Sequence, residues 1–197
     1  IDIYQNDVTL LQNRFVSPLS SIAPDFYKFY LTDTVEVDGD SCVVLSFVPH
    51  TSETWGFIGK LYVPKNDSTM FIKQIELHLP HTINVNFLDA MSVRQKFEKA
   101  PDGSRFKKSD DMIIEFSVLP ALPKLYTHRN TVYENHNFDR PGLEDQIFNG
   151  TPPEIILEGA RDRDEAFWDN HRLVPLKKGE GSVEAMIQRL RSVPLYY

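Results

Sequence analysis

The sequence predicts an α+β fold: a large curved antiparallel β-sheet, built as a meander of hairpins and partly covered by C-terminal helices. Three observations predict it. Apolar residues alternate with polar ones through most of the first 140 residues, the period of a half-buried strand. Turn-forming pairs such as Asp38-Gly39 punctuate that alternation at short intervals. After Pro141 the period lengthens to that of an amphipathic helix.

The elements follow in order. In "YQNDVTLLQNRFVSPLSS" the pair Asn6-Asp7 precedes Leu10 and Leu11, which predicts one or two helical turns, and Pro18 and Pro24 rule out a long helix. From "DFYKFYLTDTVEVDGDSCVVLSFVP" onward the period is two. Val35 and Val37 lead into the Asp38-Gly39 turn, and Val43, Leu45 and Phe47 continue beyond it as a hairpin. "GFIGKLYVPKNDSTMFIKQIELHLP" repeats the device: Phe57, Leu61 and Val63 share one face of its first strand, and Phe71, Ile75, Leu77 and Leu79 line its second. Gly59 in mid-strand marks a bend, a bulge or a close approach. "INVNFL", "MSVRQKF" and "DMIIEFSVL" are further strands, and "TVYENHNF" adds another. Sequential strands joined in this way usually neighbour one another in one twisted sheet.

Beyond Pro141, "TPPEIILEGARDRDEAFWDNHR" runs from an extended segment into a helix whose Ala166, Phe167 and Trp168 can cover the sheet. "SVEAMIQRLRSV" places Val183, Met186, Ile187 and Leu190 on one helical stripe, with Ser182 as N-cap and Pro194 as stop. Residues 1–197 therefore read as one domain, mainly β-sheet over 1–140 and an extended segment plus helices over 141–197. The chain begins at Ile1 rather than Met, which suggests a processed protein or a piece excised from a longer one.

Composition bounds the function. With 41% hydrophobic and 25% charged residues among 197, the chain can bury a sizeable core. A net charge of -7 opposes nucleic-acid binding, which needs a cationic field to release counterions. Cys42, the single cysteine, excludes an internal disulfide and a cysteine-built zinc site, and its strand setting reads as a buried thiol. No apolar stretch approaches the roughly 18 to 20 residues of a membrane span.

No catalytic, cofactor-binding or metal-binding residues are assigned. His78 and His81 are separated by three positions, but Pro80 between them forbids the helix that would align them. Asp33, Asp38 and Asp40 lack the spacing of a calcium loop, and a hairpin turn explains Asp38, Gly39 and Asp40. Asp164, Glu165 and Asp169 are the carboxylates that a carbohydrate- or peptide-processing hydrolase would use, against the plainer reading of a solvated helix face. The remaining candidate is apolar: Trp55, Phe57, Ile58, Tyr62, Met70 and Ile72 place large groups on both faces of the second hairpin. Together they form a candidate wall for a lipid or a hydrophobic peptide segment, or they pack beneath the C-terminal helices.

In sequence order, "FVSPLSSIAPDFYKFYLTDTVEVDGDSCVVLSFVP", "FIGKLYV", "INVNFLDAMSVRQKF" and "FNGTPPEIILEGARDRDEAFWDNHRLVPL" resemble the central region of an uncharacterised family of Bacteroidetes cell-envelope proteins. Those proteins carry a carboxypeptidase-regulatory-like β-sandwich before this region and an outer-membrane β-barrel after it. A looser likeness is to the half-barrels of periplasmic lipoprotein carriers. The resemblance implies a periplasmic, outer-membrane-associated module with neighbouring domains in the same chain, and it transfers no catalytic residues. The expected function is a non-catalytic module that binds a hydrophobic ligand or protein segment in envelope assembly or transport. The alternatives are a structural spacer between sandwich and barrel, and the hydrolase.

Overall fold

The structure, a computed structural model, describes residues 1–10, 12–85, 87–117, 124–136, 138 and 163–176. The chain divides into two compact units, Ile1–Phe138 and Asp139–Tyr197. The first contains β1 (Asp7–Leu10), β2 (Asn13–Val16), α1 (Ala23–Phe26) and β3 (Tyr27–Val37). It continues through β4 (Asp40–Pro49), β5 (Ile58–Pro64), β6 (Gln74–His78), β7 (Leu88–Lys99), β8 (Arg105–Phe116) and β9 (Leu125–Val132). Strands β3 to β9 form a seven-stranded sheet in sequence order, antiparallel throughout and not closed into a barrel. This is the predicted meander.

Turn chemistry sets the register. Asp38 and Gly39 take φ of 47° and 84°, the positive-φ pair that lets Val37 face Asp40. In the β7–β8 hairpin Gly103 has φ 82°, and the Asp102 carboxylate accepts hydrogen bonds from the Ser104 N–H (2.8 Å) and Oγ (2.6 Å). Irregularities between Leu31 and Asp33, Leu88 and Ala90, and Lys96 and Phe97 bend the strands and increase their twist.

Because side chains alternate across a strand, the ladder sorts them into two faces. One row runs Phe29, Phe47, Gly59, Leu77, Val93 and Met112, and the next runs Leu31, Leu45, Leu61, Ile75 and Gln95. The opposite face carries Tyr30, Ser46, Lys60, Glu76, Arg94 and Asp111 in one row. The first face holds the main core, joined there by Ile3, Val8 and Phe15 of the N-terminal segment.

Two expectations are corrected here. The stretch predicted as helical turns is the β1–β2 hairpin, in which Val8 and Phe15 stand opposite each other and are both buried. Gln12 at φ 69° lies in its link. Asn and Asp serve turns as readily as helix caps, and the branched and aromatic residues around them favour a strand. Of the predicted strand "INVNFL", residues 83–85 are not in a strand, and Leu88 opens β7. Ile83 and Val85 plug the core from a loop closed by a Leu88 N–H to Val85 carbonyl bond (2.9 Å), with Phe87 at φ 66°. The last strand begins at Leu125, and "TVYENHNF" contributes Thr131 and Val132 to it.

Among the described residues the N-terminal segment covers the apolar face. The helix expected in "SVEAMIQRLRSV" and the extended segment before residue 163 lie outside the described residues. In the second unit, α2 (Glu165–His171) is capped by Asp164, whose Oδ1 accepts from the Phe167 N–H at 2.8 Å. The His171 ring stacks on Phe167 at 4.2 Å and Trp168 is exposed.

Candidate binding surface

The six apolar residues singled out in the sequence divide among three environments. Phe57 and Ile72 are buried in the main core. Trp55 packs edge-on against Phe15 at the rim of that core, with centroids 5.2 Å apart, and remains partly exposed. Ile58 and Tyr62 lie on the opposite face, where Tyr62 packs with Val37, Cys42 and Val44. Met70, at φ 53° in the β5–β6 link, is 77% exposed. The structure joins Phe57, Ile72 and Trp55 around one core and separates the other three from them.

Tyr62 is a partner of Glu76, whose carboxylate also accepts from the Arg94 Nε at 3.0 Å. Burial first, then the Glu76 charge, pushes the Tyr62 phenol up to about 12, so it stays neutral and serves packing. Burial, reinforced by Asp40, likewise raises the Cys42 thiol and keeps it from being a nucleophile.

Beside this small core lies an open cleft of about 530 Å³ lined by Asp40, Asp67, Phe71, Lys73, Glu98 and Lys99, among others. Its charges cancel locally. Lys73 binds Asp40 at 2.6 Å, Lys108 binds Glu98 at 2.5 Å, and Lys99 binds Asp67; near them Lys96 binds Asp38 at 2.8 Å. The Lys99 ammonium and the Thr69 donors hold the Asp67 carboxyl down at about 2. With cations and anions interleaved, the cleft offers no field of one sign to steer an ion. Asp38 and Asp40 are each paired with a lysine, and His78 and His81 are solvent-exposed. Of the candidate hydrolase carboxylates, Asp164 is the helix cap and Asp169 is exposed; the side chain of Glu165 lies outside the described residues.

The sequence reading missed an apolar strip on the edge strand. Phe29 and Leu31 continue the core rows of Phe47 and Leu45 onto β3, where Phe29 is 38% exposed and Leu31 72%. On the other face of β3, Tyr30 is exposed as well. The period-two spacing of Tyr27, Phe29 and Leu31 is visible in "YKFYL", but exposure follows from β3 ending the sheet, which is a property of strand order. Such an edge presents backbone donors and acceptors beside apolar side chains, the chemistry that receives an extended chain.

Among the described residues no helix is long and apolar enough to cross a membrane. In comparison with known proteins, no curated protein and no solved structure matches the sequence. The sequence model of the family of unknown function DUF5686 matches residues 1–135, the part that holds β1 to β9. The chain belongs to the family of unknown function DUF5686.

Proposed function

We propose that this chain is a non-catalytic periplasmic module of an outer-membrane protein, binding a hydrophobic ligand or protein segment in envelope assembly or transport. The observation that carries the binding reading is the strip of Phe29 and Leu31 on the open edge of the sheet. Large apolar groups on a strand whose outer edge has no neighbour among the described residues lose water on association, at about 25 cal/mol per Å² of apolar surface. The charged groups around the cleft support the non-catalytic part, because they are spent on one another in ion pairs. The location and the larger architecture are supported by the resemblance to Bacteroidetes envelope proteins. Native mass spectrometry of the protein purified without detergent tests the reading, before and after incubation with envelope lipids. A stoichiometric adduct or a self-complex that Leu31→Asp abolishes supports it; a bare monomer throughout removes it.

A structural spacer between sandwich and barrel is the second reading. It is favoured by the way Ile3, Val8 and Phe15 of the N-terminal segment pack into the core on the apolar face.

A further inference from the structure

Among the described residues Lys28 through Thr34 of β3 are all exposed, a run long enough to pair with one more strand. We infer that its occupant is β3 of a second copy of this chain, paired antiparallel about a two-fold axis at Tyr30, so that two seven-stranded sheets become one. The inference rests on the reading of the chain as a module that binds a hydrophobic protein segment, and it names the segment.

The register follows from side-chain chemistry. With Tyr30 on the axis, Phe29 faces the partner's Leu31 and Leu31 faces the partner's Phe29, so the two apolar strips continue into each other on the core face. On the opposite face Tyr30 meets the partner's Tyr30, and Lys28 stands across from the partner's Thr32. The bulge now matters. Regular alternation from Leu31 would put Asp33 on the core face, but the extra residue Thr32 returns Asp33, paired with Val44, to the face of Tyr30 and Lys28. Thr32 itself reaches Ser46 on that face, Oγ1 to Oγ 2.9 Å. Each copy therefore offers Asp33 beside Thr32 where the other brings Lys28, giving two symmetry-related ion pairs.

Both groups are available for this. Among the described residues neither Lys28 nor Asp33 has an ion-pair partner, whereas Lys73, Lys96, Lys99 and Lys108 each have one. The partner of a two-fold pair is the same surface, so the contact closes at two copies. The other end of the sheet does not invite the same pairing as strongly: β9 reads "LYTHRNTV", polar through its middle.

Cysteine cross-linking tests the register in the 197-residue chain with Cys42→Ala. Directly opposed residues have Cα atoms about 5 Å apart, within disulfide range, so Tyr30→Cys is expected to form a covalent dimer under mild oxidation. Lys28→Cys, roughly 14 Å from its symmetry mate, is expected to remain uncoupled. Sedimentation equilibrium is expected to show a dimer. Lys28→Asp or Asp33→Lys should each weaken it by about tenfold, through two lost surface ion pairs and new repulsion. The combined charge swap should restore it. A monomer at every concentration, or cross-linking equally fast at both positions, overturns the inference. In the monomer case a lipid adduct in native mass spectra leaves the wider reading standing, and a bare mass ends both.

Discussion

At Gly59 an added Cβ would stand 1.9 Å from the Glu76 carbonyl oxygen and 2.8 Å from the Phe47 ring, so neither a strand backbone nor a core aromatic leaves room for it. The mid-strand glycine read from the sequence is thus a close approach. Gly59→Ala is expected to cost about 3 kcal/mol in urea unfolding, by forcing β5 and β6 apart. Tyr27 is a second such position. It is buried beside Phe47, its hydroxyl donates to the Val16 carbonyl at 2.5 Å, and it accepts from the Phe57 N–H at 3.0 Å. Tyr27→Phe removes the hydroxyl that bridges these two backbone groups and is expected to cost about 1–3 kcal/mol. Burial raises the Tyr27 phenol from 10.0 to about 12, against the opposing pull of the Phe57 hydrogen bond. The folded pKa exceeds the unfolded one, so the unfolded chain releases this proton first. The stabilisation is complete below pH 10.0 and is lost as pH rises through about 12. Ultraviolet titration should show a tyrosine class that ionises only near that pH, reduced by one in Tyr27→Phe. Ionisation of all tyrosines near their ordinary value would contradict the burial.

The β1–β2 hairpin acts as a cover, and Phe15 is its anchor: fully buried, stacked on Phe57 at 4.9 Å and edge-on to Trp55. Phe15→Ala is expected to lower stability by about 3–5 kcal/mol and to increase binding of a hydrophobic dye. A loss below about 1 kcal/mol would mean that the hairpin rests on the sheet without sealing it. This cover is also where reading from sequence stopped. β3–β4 was legible because Asp38-Gly39 specifies a local turn, and β5–β6 because Leu61, Ile75 and Leu77 keep a strict two-residue period. Asn6-Asp7 is ambiguous locally, and packing of a hairpin on distant strands leaves no periodic trace. The candidate wall fared similarly. Large apolar side chains around residues 55–72 were visible, but which face each takes depends on where β5 begins, and this sends Phe57 inward and Ile58 outward. The exposed pair Phe29 and Leu31 was written in the alternation too. Only the strand order turns it from core into edge.

At the scale of the whole chain, the compact unit Ile1–Phe138 and the family match over 1–135 end within a few residues of each other. Among the described residues the buried apolar side chains all fall between Ile3 and Ala100, inside that unit. The unit also supplies its own cover and every strand of its sheet, from β3 to β9. Folding cooperativity follows the core, so a chain ending at Phe138 is expected to unfold in a single urea transition with the midpoint of the corresponding transition in the full chain. Its m-value should be that of about 138 residues, because m scales with the surface exposed on unfolding. The reading of residues 1–197 as one domain makes the opposite demand. If residues beyond 138 complete the core, the shortened chain loses its sharp transition and its native near-ultraviolet signal, and Leu31→Asp then has to be studied in the full chain alone. If the transition survives, the edge strand, its apolar strip and its pairing belong to a unit that carries everything needed to present them.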